Sequence, residues 1–267
     1  MAGYGDVFAN LKRAALIPFF VIGDPDYRQS LDVVKAAIDA GADILELGIP
    51  FSDPVADGPT IQKADLRSLA NGMTPAKALE FIAEVTAYKA IPIGLLVYYN
   101  LVVQYGIEQF CLDFKKAGGT SILVADLTID DADEIAIPAA AAGLETVFMV
   151  TPNTAEARME AIASKTTGFI YTVSLLGTTG ERARLSDRIK PLIASLKQHT
   201  SIPICVGFGI SSPQHAAEVA GAGADGVIIG SRIVKFIEEN LADTERMKQD
   251  ISGFIQSVLT ELETAVK

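Results

Sequence analysis

Short, continuously apolar runs recur along the 267-residue chain with amphipathic stretches between them, and this alternation constrains the fold more than any other feature. The runs are 16–22 (LIPFFVI), 44–48 (ILELG), 93–98 (IGLLVY), 121–125 (SILVA), 146–150 (TVFMV), 168–173 (GFIYTV), 204–207 (ICVG) and 226–229 (GVII). They are apolar throughout rather than at every second position, so they read as strands covered on both faces, the habit of a parallel sheet. Between them, Ile107, Phe110, Cys111 and Phe114 follow helical spacing, as do Ile189, Leu192, Ile193 and Leu196. The same spacing runs from Ile251 to Leu262, and Ala40-Gly41 and Ala222-Gly223 put glycine where a helix should stop before a strand. A doubly wound open sheet would also alternate in this way. Eight strands at intervals of roughly 30 residues, with no linker-like tract, instead predict a single (β/α)8 TIM barrel over residues 1–267, with an extra N-terminal helix.

Lys12 and Arg13 followed by AALIPFFVI imitate a secretory leader, but the next residues, Gly23-Asp24-Pro25-Asp26, offer no small-x-small cleavage site. A buried first strand accounts for the run. No stretch of 18 apolar residues is present, so no membrane span is expected, and a cytoplasmic location is. The formal net charge of −11 argues against nucleic acid and anionic membrane as partners. An anionic small substrate would need a local cradle built against that charge. Cys111 and Cys205 lack CxxC spacing and cannot build a disulfide framework, which suits a reducing compartment. With only His199 and His215, no histidine-rich metal site is expected, and none is predicted.

In a barrel of this kind the chemistry sits at the C-terminal ends of the strands, with phosphate often held after the seventh and eighth. Those turns read Gly207-Phe208-Gly209-Ile210-Ser211-Ser212 and Gly230-Ser231-Arg232, and a third, Gly177-Thr178-Thr179-Gly180, follows the sixth strand. Any one of them is an ordinary turn. Three together predict a phosphate site, because glycine lets backbone N–H groups approach an anion closely. Gly221-Ala222-Gly223-Ala224-Asp225-Gly226 matches a dinucleotide fingerprint letter for letter, yet it precedes a strand rather than following one, so no NAD is expected. Glu46 is a carboxylate inside an apolar strand, costly unless paired or protonated, and its place near the strand end predicts an acid–base residue. Asp24, Asp53 and Asp57 stand beside proline or glycine and by themselves read as turn formers.

The run LELGIPFSDPVADGPTIQ at 45–62 closely resembles the signature of the tryptophan synthase α-subunit family. The resemblance continues in order through PFFVIGDP (18–25), IGLLVYYN (93–100), FIYTVSLLGTTG (169–180), GFGIS (207–211) and GSRIVK (230–235). It implies retro-aldol cleavage of indole-3-glycerol phosphate to indole and glyceraldehyde 3-phosphate, with no cofactor in this chain. It also implies a pyridoxal-phosphate β subunit as partner in an α2β2 assembly. Under it Glu46 is the catalytic acid–base and Asp57 accepts the indole N–H, while Tyr171 stands near the glutamate and Thr179 contacts the loop aspartate. Gly180, Gly209, Gly230 and Ser231 fall on the phosphate cradle, and Phe19, Leu96 and Leu123 on the indole pocket.

Loops 51–60 and 174–188 flank this chemistry and are expected to order on binding ligand or partner. Arg182, Arg184 and Arg188 read as a solvated basic face of the second loop rather than as phosphate ligands. Thr128, Gln104 and Thr178 depart from the residues usual in the family; the first two bear on coupling to the partner, not on the chemistry. Two alternatives are a stand-alone indole-3-glycerol phosphate lyase and a non-catalytic activator of a β subunit. The presence of both Glu46 and Asp57 speaks against the second.

Overall fold

The computed structural model describes residues 3–173, 185–207 and 209–265, the side chains of 185–188 excepted. The chain opens with α1 (Tyr4–Asn10), then β1 (Ala15–Val21), α2 (Tyr27–Asp39), β2 (Leu45–Gly48), α3 (Pro59–Ala70), α4 (Pro75–Tyr88) and β3 (Ile93–Val97). It continues through α5 (Tyr99–Tyr105), α6 (Ile107–Lys116), β4 (Ser121–Val124), α7 (Asp133–Ala142), β5 (Glu145–Thr146), β6 (Phe148–Val150) and α8 (Glu156–Lys165). The last part holds β7 (Ile170–Val173), α9 (Leu185–His199), β8 (Ile204–Gly207), α10 (Pro213–Gly221), β9 (Gly226–Ile229), α11 (Ser231–Glu239) and α12 (Thr244–Thr264).

The strands pair in parallel in the order β5-β4-β3-β2-β1-β9-β8-β7-β6. The run expected as one strand at 146–150 is divided at Val147. Its first piece pairs with β4 and its second with β7, while the Val147 N–H donates to the Ile122 carbonyl at 3.1 Å. The two ends of the sheet order are therefore neighbours in the chain, and the sheet closes as a TIM barrel. Gly221–Gly226 runs from the end of α10 to the start of β9, helix stop and strand entry as its context predicted.

Strand periodicity divides the core in two. Leu45 and Leu47 turn outward to the layer under the helices, whereas Ile17, Leu123, Val147, Phe169 and Tyr171 fill the barrel interior. The expected N-terminal helix plugs one end of that interior. Tyr4 of α1 is 1% exposed, its ring packs on Phe169 at 5.2 Å between centroids, and its hydroxyl bonds Ser121 Oγ at 2.7 Å. Ser121 opens β4, so the plug covers the strands' N-terminal ends. Access to the interior is left at the C-terminal ends. No helix among the described residues is long and apolar enough to cross a membrane.

Candidate active site

At the C-terminal ends of the strands lies a cleft of about 540 Å³, and Glu46, Asp57, Tyr171, Phe19, Leu96, Gly209, Gly230 and Ser231 all line it. Residues far apart in sequence meet here because each lies in a barrel strand or in the loop or helix start that follows one.

Glu46 faces inward because Leu45 and Leu47 take the outer face of β2. Its register partners are Phe19 on β1 and Gly94 on β3, neither of which offers a charge. Only 4% exposed, the carboxyl is pushed up to about 8 by burial, and the nearby Asp57 carboxylate adds to the rise. Glu46 is therefore mostly protonated at neutral pH.

Asp57 ends the loop ahead of α3, where Gly58 is the N-cap and Pro59 the first helical residue. Half-burial raises its carboxyl, and a hydrogen bond from Tyr98 acts in the opposite direction. The Tyr98 hydroxyl donates to Asp57 Oδ2 at 2.7 Å and accepts from the Ala56 N–H at 3.1 Å. The Phe51 ring stacks on Tyr98 at 5.0 Å. One tyrosine, a residue that sequence reasoning passed over, thus ties Phe51, Ala56 and Asp57 of loop 51–60 together. Its position directly after β3, at the end of the barrel where chemistry sits, was the available clue.

Tyr171 stands on β7 beside the cleft, its phenol held well above the ordinary value by burial and by the charges of Glu46 and Asp57. A Cβ at Gly207 would lie 2.4 Å from the Tyr171 hydroxyl, so that strand position must be glycine for the ring to lie there. Leu123 lies in the barrel interior with Tyr4, Val147, Phe169 and Tyr171, in register with Leu96 of the cleft wall.

The turns after β8 and β9 also line the cleft. Gly209 has φ +78°, a left-handed conformation that side chains disfavour. Gly230 and Ser231 open α11, where unpaired backbone N–H groups and the helix dipole favour an anion. Arg232 and Lys235 of α11 also line the cleft and were not singled out from sequence. Thr178, Thr179, Gly180, Arg182 and Arg184 lie outside the described residues, as does the side chain of Arg188.

Asp24 needs correction. Its neighbours suggested a plain turn, but it is fully buried and takes a two-pronged bond from Arg67 of α3, Nε to Oδ1 at 2.7 Å and Nη2 to Oδ2 at 2.9 Å. Asp65, also on α3, is 4% exposed, and its carboxyl is pushed up to about 8 chiefly by burial. It is therefore largely neutral at pH 7 and adds little negative charge beside Asp57.

The cleft thus brings together a protonated deep acid, a second, hydrogen-bonded carboxyl, backbone donors and cations. The tryptophan synthase alpha chain family model matches residues 8–265. The tryptophan synthase alpha chain of Methanoregula boonei is 45% identical over 249 residues, which is 93% of this chain and 94% of that one. The tryptophan synthase subunit alpha of Legionella pneumophila superposes with a TM-score of 0.90 at 29% identity, over 99% of both chains. A chain from the tryptophan synthase α2β2 complex of Pyrococcus furiosus does so with a TM-score of 0.86 at 37% identity, over 93% of this chain and 99% of that one. Sequence, barrel and comparisons agree over nearly the whole length, and the chain belongs to the tryptophan synthase alpha chain family.

Proposed function

We propose that this chain, as the α subunit of tryptophan synthase in L-tryptophan biosynthesis, cleaves indole-3-glycerol phosphate to indole and glyceraldehyde 3-phosphate, with Glu46 and Asp57 as its catalytic pair. The observation that carries this assignment of roles is their convergence on one cleft that is also lined by Gly209, Gly230 and Ser231, which offer backbone donors to a phosphate. Breaking the bond between indole C3 and the glycerol chain requires a proton at C3, which makes the ring transiently cationic. Glu46, protonated at neutral pH, gives that proton. Asp57 accepts the indole N–H and stabilises the cation, held in position by Tyr98. As the carbon–carbon bond breaks, the Glu46 carboxylate takes the proton of the adjacent glycerol hydroxyl, which becomes the aldehyde. The enzyme ends with the proton it began with.

Phe19 and Leu96 supply apolar walls for the ring, and Leu123, in register with Leu96, extends them. Tyr171 fixes the surroundings of Glu46. Thr179 and Gly180 are proposed to complete the loop aspartate contact and the phosphate cradle. The proposed partner is a β subunit that carries pyridoxal phosphate, forming α2β2, with the enzyme placed in the cytoplasm. Val55, 82% exposed on the Asp57 loop, and Val103, 42% exposed on α5, lie at the cleft's end of the barrel and support docking there.

Indole release is to be followed with and without a cognate β subunit for the wild type, Glu46→Gln and Asp57→Asn. Glu46→Gln should lower turnover by at least roughly 10²-fold with little change in KM, and Asp57→Asn should also cost heavily. Near-wild-type turnover in Glu46→Gln would overturn the assignment. Full activity without the partner would instead mark a stand-alone lyase.

A further inference from the structure

The phosphate end of the cleft carries a formal charge that backbone N–H groups do not supply. Arg232 and Lys235 are one turn apart on α11 and face the same cleft as Glu46 and Asp57. The Arg232 guanidinium lies over the Phe236 ring, 4.0 Å from its centroid. Phe236 in turn packs on Phe254 of α12 at 5.5 Å, so the platform under the guanidinium is fixed. No carboxylate of the described residues lies within ion-pair distance of Arg232, whereas Lys235 has Glu239 at 3.8 Å. In a chain of net charge −11, such a cation facing the cleft is available to an incoming anion.

We propose that Arg232 is a specificity-determining residue that binds the substrate's phosphate through its guanidinium, with Lys235 as a weaker, more distant charge. This rests on the reading of the cleft as an indole-3-glycerol phosphate site. A guanidinium whose face is covered by an aromatic ring still has its in-plane N–H groups free, and these match two phosphate oxygens at once. Stacking also removes much of the entropy cost of holding a long side chain still. The glycine turns give shape and uncharged donors; Arg232 adds the charge that distinguishes a phosphate from a neutral group of similar size. The cleft is then polarised, with its carboxyls at the indole end and its cation at the phosphate end, and the substrate enters in one orientation.

A purely structural Arg232 would act through its stack on Phe236, and two substitutions separate the roles. Arg232→Met keeps an apolar side chain over Phe236 and loses the charge; Arg232→Lys keeps the charge and loses the planar fork. For indole-3-glycerol phosphate, Arg232→Met should raise KM by roughly 10-fold or more with kcat within about twofold. Arg232→Lys should recover part of the loss, and the salt dependence of kcat/KM should flatten only in Arg232→Met. Glycerol 3-phosphate and inorganic phosphate, titrated against the folded variants by NMR, give the same comparison without catalysis. If wild type binds glycerol 3-phosphate and Arg232→Met binds it as tightly, the inference is overturned while the cleft's function stands. If wild type neither binds glycerol 3-phosphate nor releases indole, the underlying reading fails instead.

Discussion

A carboxyl on an inward-facing strand position has too little water around it to hold its charge, and Glu46 shows the consequence both for chemistry and for stability. Its ordinary value near 4.5 is raised to about 8 in the folded chain. Below about pH 4.5 the carboxyl is neutral in both folded and unfolded states and costs nothing. Between 4.5 and 8 the unfolded chain ionises first, so stability from this group is lost progressively as pH rises. Glu46→Gln does not titrate. Its stability relative to wild type should therefore improve from pH 5.5 to 8.5 by a few kcal/mol, of order 2–5. Melting temperatures at the two pH values check this, and a constant difference would show that Glu46 is not held neutral. Tyr98 works on Asp57 in the opposite sense, since its hydroxyl favours the charged form. Tyr98→Phe should shift the acidic limb of the pH–rate profile to higher pH and lower turnover at pH 7 by roughly 10-fold. Glu46 was legible in sequence as the one charge in an apolar run. Tyr98 was not, because its partner comes from another loop, 41 residues away.

At the scale of the element, the Asp57 loop is as well placed as the helix that follows it. α3 is fastened to the turn after β1 by Arg67 on Asp24, by the Ser68 hydroxyl donating to the Ile22 carbonyl at 2.6 Å, and by Asn71 Nδ2 donating to the Pro25 carbonyl at 2.7 Å. Burial already lifts Asp24, and Arg67 offsets that rise without cancelling it. Arg67→Met would leave a buried carboxyl without its cation and should destabilise the fold by about 3–5 kcal/mol at neutral pH. The loss should shrink as pH falls and Asp24 protonates instead. Denaturation at pH 5 and 8, with Asp24→Asn/Arg67→Met as the double variant, measures it. A loss that does not vary with pH would mean that Asp24 is not the residue exposed to the penalty. Helices were readable from their spacing; which turn a helix docks upon was not, since Asp24 beside Pro25 reads the same whether buried or exposed.

At the scale of the whole molecule, one end of the barrel is shut and the other is open. Tyr4 shuts it with a ring inside the interior core and a hydroxyl on Ser121. Tyr4→Phe keeps the ring and strands the Ser121 hydroxyl, so stability should fall by about 1–2 kcal/mol. Because α1 covers the strands' N-terminal ends and the cleft lies at the C-terminal ends, kcat and KM should stay within about twofold. Chemical denaturation and steady-state kinetics on the same preparation test both. A large fall in kcat at unchanged stability would mean that the plug reaches the chemistry through Glu46, which lies near both.

The sequence by itself determined the class of fold and the chemical types at the site. Continuous apolar runs need cover on both faces, a charge in such a run needs a reason, and glycine turns after the last strands leave room for an anion. All three are local consequences of hydrophobicity and chain geometry. Only the tertiary structure decided how the barrel closes, by splitting hydrogen bonds at Val147 between β4 and β7, since closure depends on tilt and register around the whole ring. It likewise decided that Tyr98 holds Asp57 and that Asp24 is buried against Arg67. Each of these is a contact between residues distant in sequence, and desolvation acts on a side chain only once the fold has chosen what surrounds it.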